Sequence, residues 1–247
     1  MKIINAKESP STEGDFFCMI LSLPDFSAYH EIGRVPSEGF MNLSLCMIVK
    51  NEEKTIGRCL AGVAEACDEI IIVDTGSTDK TKEIAGKYTD KIYDFAWNDD
   101  FSAARNFSFS KATGDFILWL DADDVLTFEE LEKFIDFKKT LSEKDDVVLM
   151  RYECAFDEDG NAVFFFYRER IFRRAKGFLW KGRVHEAVEY SGNVRYSDIA
   201  IKHFSAKTEY GDRNLKIYEK QKASGEAFSP RDVFYYGREL FYHKRYG

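Results

Sequence analysis

From residue 43 the chain alternates between short apolar runs and longer stretches with apolar residues every third or fourth position. Leu43–Val49 is apolar almost throughout, as expected of a strand covered on both faces. Ile56, Cys59, Leu60, Val63 and Cys67 then recur at helical spacing. The rhythm repeats. Glu69–Val73 predicts a second buried strand ending at Asp74, and Ser77–Tyr88 a helix capped by Ser77 or Thr78. Lys91–Phe95 predicts a short strand, Ser102–Lys111 a helix stopped near Gly114, and Asp115–Leu120 another strand. Thr127-Phe128-Glu129-Glu130 has capping-box spacing and opens a helix that turns Leu131, Phe134, Ile135 and Leu141 inward.

The pattern changes near residue 146. Val147–Phe156, Ala162–Phe166, Arg183–Tyr190 and Val194–Phe204 read as strands, and Asp159-Gly160 marks a hairpin turn. From Thr208 the pattern is helical, with Ser229-Pro230 opening a last helix whose apolar face carries Phe234, Leu240 and Phe241. These elements predict an α/β protein with a Rossmann-like mixed sheet. Its first half is parallel with helices on both faces, its second half antiparallel, and a helical tail follows. Residues 1–40 hold Pro10, Pro24 and Pro36 without a sustained period. They read as an extension, or as an upstream leader before Met41, with one short strand at Phe16–Leu23. The expected division is therefore 1–40, 41–206 and 207–247.

A net charge of -8 argues against nucleic acid as the main partner. A basic stretch of Arg168, Arg170, Arg173, Arg174, Lys176, Lys181 and Arg183 nevertheless suits an anionic ligand or a lipid surface. Cys18, Cys46, Cys59, Cys67 and Cys154 show no CxxC spacing and read as reduced thiols of a cytoplasmic protein. No apolar run approaches the ~20 residues of a membrane span, and the start lacks the features of a signal peptide.

The strongest chemical signal is Asp121-Ala122-Asp123, which follows the apolar run Phe116–Leu120. Ligands of open α/β sheets bind beyond the carboxyl ends of the strands. If the extended backbone persists, both carboxylates point the same way and suit a hard divalent cation set against phosphate oxygens. A helix-capping acidic loop is the plain alternative. A calcium loop is excluded, because no glycine stands at the sixth position and no glutamate at the twelfth.

Other segments accompany it in order. They are Leu45-Cys46-Met47-Ile48-Val49-Lys50-Asn51-Glu52, Val73-Asp74-Thr75-Gly76-Ser77-Thr78-Asp79, Phe101-Ser102-Ala103-Ala104-Arg105-Asn106, and Asp121-Ala122-Asp123-Asp124. Together they resemble the family-two nucleotide-sugar glycosyltransferases of GT-A fold over roughly residues 43–205. The resemblance implies a metal-dependent hexosyl transfer from a UDP-sugar, with inversion and with Mg²⁺ or Mn²⁺ as cofactor. By that resemblance Asp74 contacts the base beside Gly76 and Ser77, and Asn51 and Glu52 lie near base and ribose. Arg105 lies near base or diphosphate. Asp123 ligates the metal, while Asp121, across Ala122, contacts the ribose and the metal through water. Each also has a plain reading: Asp74 as a turn aspartate, Asn51 and Glu52 as loop polarity, Arg105 as a surface ion pair.

Trp180-Lys181-Gly182-Arg183-Val184-His185-Glu186 is the second informative stretch. The resemblance places a His-Glu pair after a tryptophan on the acceptor side, so Glu186 is the expected base, next to His185, with Trp180 stacking on the sugar. Glutamate stands here where the wider family more often has aspartate. An edge-strand His-Glu pair is the alternative. His203 follows Ile199 and Ile201 on one strand face; it reads as a core histidine or, by resemblance, as a third metal ligand. Phe164-Phe165-Phe166-Tyr167 reads as core with one exposed face. The start of a tetratricopeptide-like pair at 234–240 leaves the acceptor open between a cell-envelope or lipid-linked glycan and a peptide, and its apolar helix suits self-association. The competing functions are a nucleotidyltransferase, which lacks its glycine-rich phosphate loop here, and a nucleotide-sugar or peptide-binding module without turnover.

Overall fold

The computed structural model describes residues 40–204 and 211–246. The expected strand at 16–23, Cys18 and the start of the helical tail at Thr208 lie outside those residues. The strands are β1 (Leu43–Val49), β2 (Glu69–Asp74), β3 (Ile92–Asp94), β4 (Phe116–Trp119), β5 (Asp124–Val125), β6 (Val147–Phe156), β7 (Ala162–Arg173), β8 (Trp180–Lys181), β9 (Ala187–Val188) and β10 (Val194–His203). The helices are α1 (Ile56–Ala61), α2 (Thr81–Ala85), α3 (Phe101–Lys111), α4 (Phe128–Lys138), α5 (Arg213–Ala223) and α6 (Pro230–Tyr242).

An eight-stranded sheet in the order β3-β2-β1-β4-β7-β6-β10-β5 forms the centre. Its first four strands are mutually parallel. β7 joins antiparallel to both β4 and β6. The second half is not wholly antiparallel, because β6 and β10 run parallel. Alternation on the strands explains the apolar runs. Leu45, Met47, Ile72 and Leu118 meet α1 and α4 on one face, while Cys46, Ile71, Val73 and Trp119 meet α3 on the other. The four described cysteines are free thiols. Burial pushes Cys67 up to about 12, so this thiol is inert at neutral pH.

Several elements differ from the sequence reading. The helix expected from Ile56 to Cys67 ends at Ala61, and a 3₁₀ turn at Ala64–Ala66 replaces the rest. A Cβ on Gly62 would sit 2.7 Å from the Leu126 carbonyl oxygen, so the backbones approach closely there. The helix expected at 77–88 shrinks to Thr81–Ala85. Ser77 and Thr78 do not cap it, because they tie two loops together. Ser77 Oγ accepts from the Asn51 amide at 2.9 Å, and the Thr78 amide donates to Asn51 Oδ1 at 2.8 Å. Thr127 does cap α4, but the Glu130 carboxylate leaves the capping box to accept from the Ala200 amide. The strand expected at 183–190 is cut to Ala187–Val188, because the chain turns at Gly182 (φ 96°) and His185 (φ 51°).

The expected apolar face of the last helix is met only in part. Leu240 is half-buried, but Phe234 and Phe241 are exposed, whereas Asp232 and Glu239 are buried. Asp232 completes a capping box with Ser229, and Glu239 meets His185, so polar groups with partners take the inner face. Tyr218 of α5 and Val184 form a small core with Ile217 beside Tyr235 and Tyr236.

Glu69 locks the end of the sheet opposite the acid loop. Its carboxylate accepts from Ser44 Oγ, from Lys91 Nζ at 2.6 Å and from the Thr113 amide at 2.8 Å. Burial alone would raise its pKa, but these donors outweigh it and hold the carboxyl down at about 2. A carboxyl whose folded pKa is depressed contributes stability above its unfolded value, about 4.3, and loses it as pH falls through the folded value. Glu69→Gln is expected to cost about 2 kcal/mol at pH 7. The gap from wild type should close between about pH 4.3 and pH 2, as read by urea unfolding at stepped pH. A constant gap across that range would contradict this account.

Candidate active site

A cleft of about 930 Å³ opens over the carboxyl ends of β1 and β4. Its walls include Asn51, Glu52, Arg105, Asp121, Ala122, Asp123. On other elements they include Arg168, His185, Glu186 and His203. The fold thus gathers most of the residues singled out in the sequence. Gly76, Ser77, Asp74 and Trp180 are not on the wall. Asp74 lies under it, where Oδ1 accepts from the Gly76 and Ser77 amides at 2.8 Å each, while the buried Oδ2 has no hydrogen-bond partner among the described residues. Thr75 takes the wall position above it.

The two carboxylates of Asp121-Ala122-Asp123 do not share one partner. β4 ends at Trp119, and the chain turns instead of remaining extended. Asp121 faces Arg105, with Nη2 to Oδ1 at 2.9 Å. Burial would raise the Asp121 pKa, but Arg105, Arg168 and Arg170 outweigh it and hold the carboxyl well below the usual range. Asp123 faces His203, whose Nδ1 lies 3.6 Å from its Oδ1. Burial pushes the Asp123 carboxyl up, with Asp121 and Asp124 adding to the rise and His203 opposing it.

Asp124, which the sequence shows only as the last residue of the acidic motif, supports the two acids from beneath. It is fully buried and ion-paired with the equally buried Arg170, Nη1 to Oδ2 at 2.9 Å. Its carboxylate also accepts from the Asp121 amide at 2.9 Å and from the Tyr152 hydroxyl at 3.0 Å. β5 pairs with the end of β10, setting His203 opposite Asp124. Ligand atoms of Asp123, Asp124 and His203 all lie within 4.8 Å of one another. His203 Nδ1 is buried between two carboxylates, 3.4 Å from Asp124 Oδ1 and 3.6 Å from Asp123 Oδ1, without a well-aligned hydrogen bond among the described residues. Two carboxylates around an imidazole nitrogen are a donor set that fits a divalent cation, and the nitrogen suits Mn²⁺ better than Mg²⁺. Asp124 is also committed to Arg170 and Tyr152, which leaves Asp123 and His203 as the less engaged of the three.

Arg105 joins the two sides of the cleft. Its Nε donates to Glu186 Oε1 at 2.6 Å while its Nη2 holds Asp121. The guanidinium carbon lies 4.7 Å from the Trp119 ring centre and 4.9 Å from that of Trp180. Burial would lower its pKa, but the facing carboxylates of Asp121 and Glu186 raise it above its ordinary value. Trp180 is therefore no sugar platform. It is 2% exposed and packs edge-on against Trp119, supporting Arg105 from below.

The basic stretch is not an open patch either. Arg173 and Lys176 reach Asp146, Lys181 pairs with Glu189, Arg183 with Glu226, and Arg174 donates to the Gly114 carbonyl. Arg168 alone of that stretch is on the cleft wall, its guanidinium carbon 4.4 Å from the Trp119 ring centre. Phe166 and Tyr167 of the aromatic run also reach the cleft, but Val163–Tyr167 is largely exposed and not core.

The wall also contains Arg213 and Asn214 of α5 and Arg231 and Tyr235 of α6, which the sequence reading did not place there. His185 Nε2 lies 3.0 Å from Glu239 Oε1, and its ring stacks on Tyr235 at 4.1 Å. No local pattern marks these residues, since they come 27 or more positions after Glu186 and meet it only through folding.

Among curated proteins, a TPR repeat-containing protein of Synechococcus elongatus is 39% identical over 152 residues, covering 60% of this chain and 36% of that protein. The SPbeta prophage-derived glycosyltransferase SunS of Bacillus subtilis is 27% identical over 235 residues, covering 90% of this chain and 53% of that protein. The chain thus spans about a third to a half of these relatives. Among solved structures, S. aureus TarS 1-349 superposes with a TM-score of 0.51 at 18% identity, over 83% of this chain and 73% of that one. The same protein in complex with UDP-GlcNAc gives 0.51 at 18% identity, over 81% and 73%. This likeness shows the GT-A fold. Residues 44–196 match the family described as Glycosyl transferase family 2, and with that match across the strands and loops that build the cleft, the chain belongs to glycosyl transferase family 2.

Proposed function

We propose that this chain is a metal-dependent glycosyltransferase that moves a sugar from a UDP-sugar to an acceptor with inversion at the anomeric carbon. The observation that carries the reading is the meeting of Asp123 and Asp124 with the buried Nδ1 of His203 at the cleft edge. Family membership and the TarS complex with UDP-GlcNAc support the choice of donor.

Asn51 and Glu52 would border the uridine, above the turn that Asp74 pins, and Asp121 the ribose. Asp123 and His203 would hold Mn²⁺ or Mg²⁺, which when bound neutralises the charge developing on the departing diphosphate. Arg168 adds a fixed positive charge on the same wall. Glu186 would take the proton of the acceptor group as that group forms its bond to the anomeric carbon. The bond to the diphosphate oxygen breaks on the opposite face, and its electron pair leaves with UDP. The acceptor would enter beside His185, Arg231 and Tyr235, where α5 and α6 contribute to the wall. A glycan or a peptide group could present the nucleophile there.

Titration calorimetry of UDP with and without Mn²⁺ tests the donor. Metal is expected to strengthen binding by at least about tenfold, roughly 1.4 kcal/mol. Asp123→Ala should lose that gain and His203→Ala most of it. No UDP binding by the wild type in either condition would refute the donor assignment.

Arg105→Lys tests the bridge between the two carboxylates. A single ammonium cannot make both contacts of the guanidinium fork, so release of sugar from UDP-sugar should fall by about tenfold or more. Arg105→Ala leaves two facing carboxylates without their cation and should cost about 3 kcal/mol in chemical unfolding. Wild-type turnover in a folded Arg105→Lys protein would show that the bridge is not used in the reaction.

A further inference from the structure

The turn that presents Glu186 has little structure of its own. It lies between the two-residue strands β8 and β9, which pair only with each other. Gly182 takes φ 96°, and His185, which has a Cβ, takes φ 51°. Side chains rarely adopt that region, and they stay there only where surrounding contacts over-determine the backbone.

Those contacts come from the C-terminal helices. Glu239 on α6 has a fully buried side chain and sets Oε1 3.0 Å from His185 Nε2. The Tyr235 ring stacks on the imidazole at 4.1 Å with 17° between planes. Arg231 Nε donates to the His185 carbonyl at 2.8 Å. From α5 the Tyr218 hydroxyl donates to the Val184 carbonyl at 3.3 Å. The next side chain, Glu186, meets Arg105 on the opposite side. The Glu239 contact turns the Nε2 edge of the His185 ring toward α6.

We propose that Glu239 is a positioning residue for sugar transfer: through His185, and helped by Tyr235, it holds the 182–186 turn so that Glu186 faces the acceptor. His185 is then an anchor for its neighbour and not a proton carrier. Helix α6 belongs to the working site, although it lies outside the region matched by the family. The inference rests on the proposed transferase reading for its rate measurement, while its structural half can be read without a donor.

The test uses the whole chain and two single variants, Glu239→Gln and Tyr235→Leu, with His185→Ala for a double-mutant cycle. Amide hydrogen exchange is followed by mass spectrometry. In Glu239→Gln, exchange at residues 183–187 should quicken by about tenfold or more, while peptides from β1 and β2 keep wild-type protection. With UDP-glucose and UDP-N-acetylglucosamine as donors and water as acceptor, kcat should fall about tenfold. UDP affinity in Mn²⁺ should stay within about twofold. Adding His185→Ala to Glu239→Gln should lower kcat little further, since both remove the same link.

Wild-type protection of 183–187 in a folded Glu239→Gln protein would overturn the proposal. So would full additivity with His185→Ala, or a loosened turn with unchanged kcat. If Glu239→Gln does not fold, Tyr235→Leu, which keeps the carboxylate, must show the same local loosening and the same fall in kcat, or the proposal fails. A wild type that protects the turn yet binds no UDP would mark failure of the donor reading, and the exchange result would still judge the role of Glu239.

Discussion

The site depends on the ion pair between Asp124 and Arg170. Both side chains are wholly buried, which is costly for two charges unless their remaining polar atoms are met. Asp124 is satisfied by the Asp121 amide and the Tyr152 hydroxyl. Arg170 is met only in part: Nη1 donates to the Trp119 carbonyl, Nε and Nη2 have no hydrogen-bond partner among the described residues, and the guanidinium carbon lies 4.1 Å from the Trp119 ring centre and 4.5 Å from that of Tyr152. Breaking one partner of such a pair leaves an uncompensated charge, a loss of about 3–5 kcal/mol. The pair therefore dictates where the chain goes after Trp119. It draws Asp124 inward, ends the strand and sends Asp121 and Asp123 to different neighbours. It also seats β5 against β10, which is how His203, eighty residues later in the chain, comes to lie beside Asp123.

A second charged bridge sits one layer closer to the cleft. Arg105 takes Asp121 with one edge of its guanidinium and Glu186 with another, over the edge-on pair of Trp119 and Trp180 rings. A planar fork held against two indoles has little freedom, so it ties Asp121 and Glu186 to one rigid group. Trp180 gives up contact with the ligand to perform this support. The same buried block thus fixes the floor of the cleft and sets the two carboxylates apart on either side of one cation.

The far wall obeys a different rule. On α6 the residues facing inward include the acid Glu239 and the capping Asp232, while Phe234 and Phe241 face out. Tyr235 and Tyr236 share that inner face, so hydrophobicity does not set the orientation alone. A buried acid that meets a histidine, together with a capping box, offsets two phenylalanines left mostly in water, and hydrogen bonds thus help to choose the face. The His185 turn, strained at its backbone, is steadied by the inner face of that helix.

The sequence by itself determined the frame. Leu43–Val49, Glu69–Asp74, Phe116–Trp119 and Val147–Phe156 could be read because buried strands need unbroken apolar runs, and α6 began where Ser229-Pro230 said it would. The acids after Phe116–Leu120 were legible as a site because charge at a strand's carboxyl end has few other uses. Tertiary structure decided which acid does what. Whether Asp121 and Asp123 converge depends on a backbone turn held by Arg170, some fifty residues away in the chain. Whether Trp180 stacks on a ligand or beneath Arg105 depends on which ring faces the core. That Glu239 reaches His185 depends on the path of α5 and α6 around the cleft. Local periodicity records the neighbours a residue has along the chain, and these outcomes were set by neighbours it meets only in the folded state.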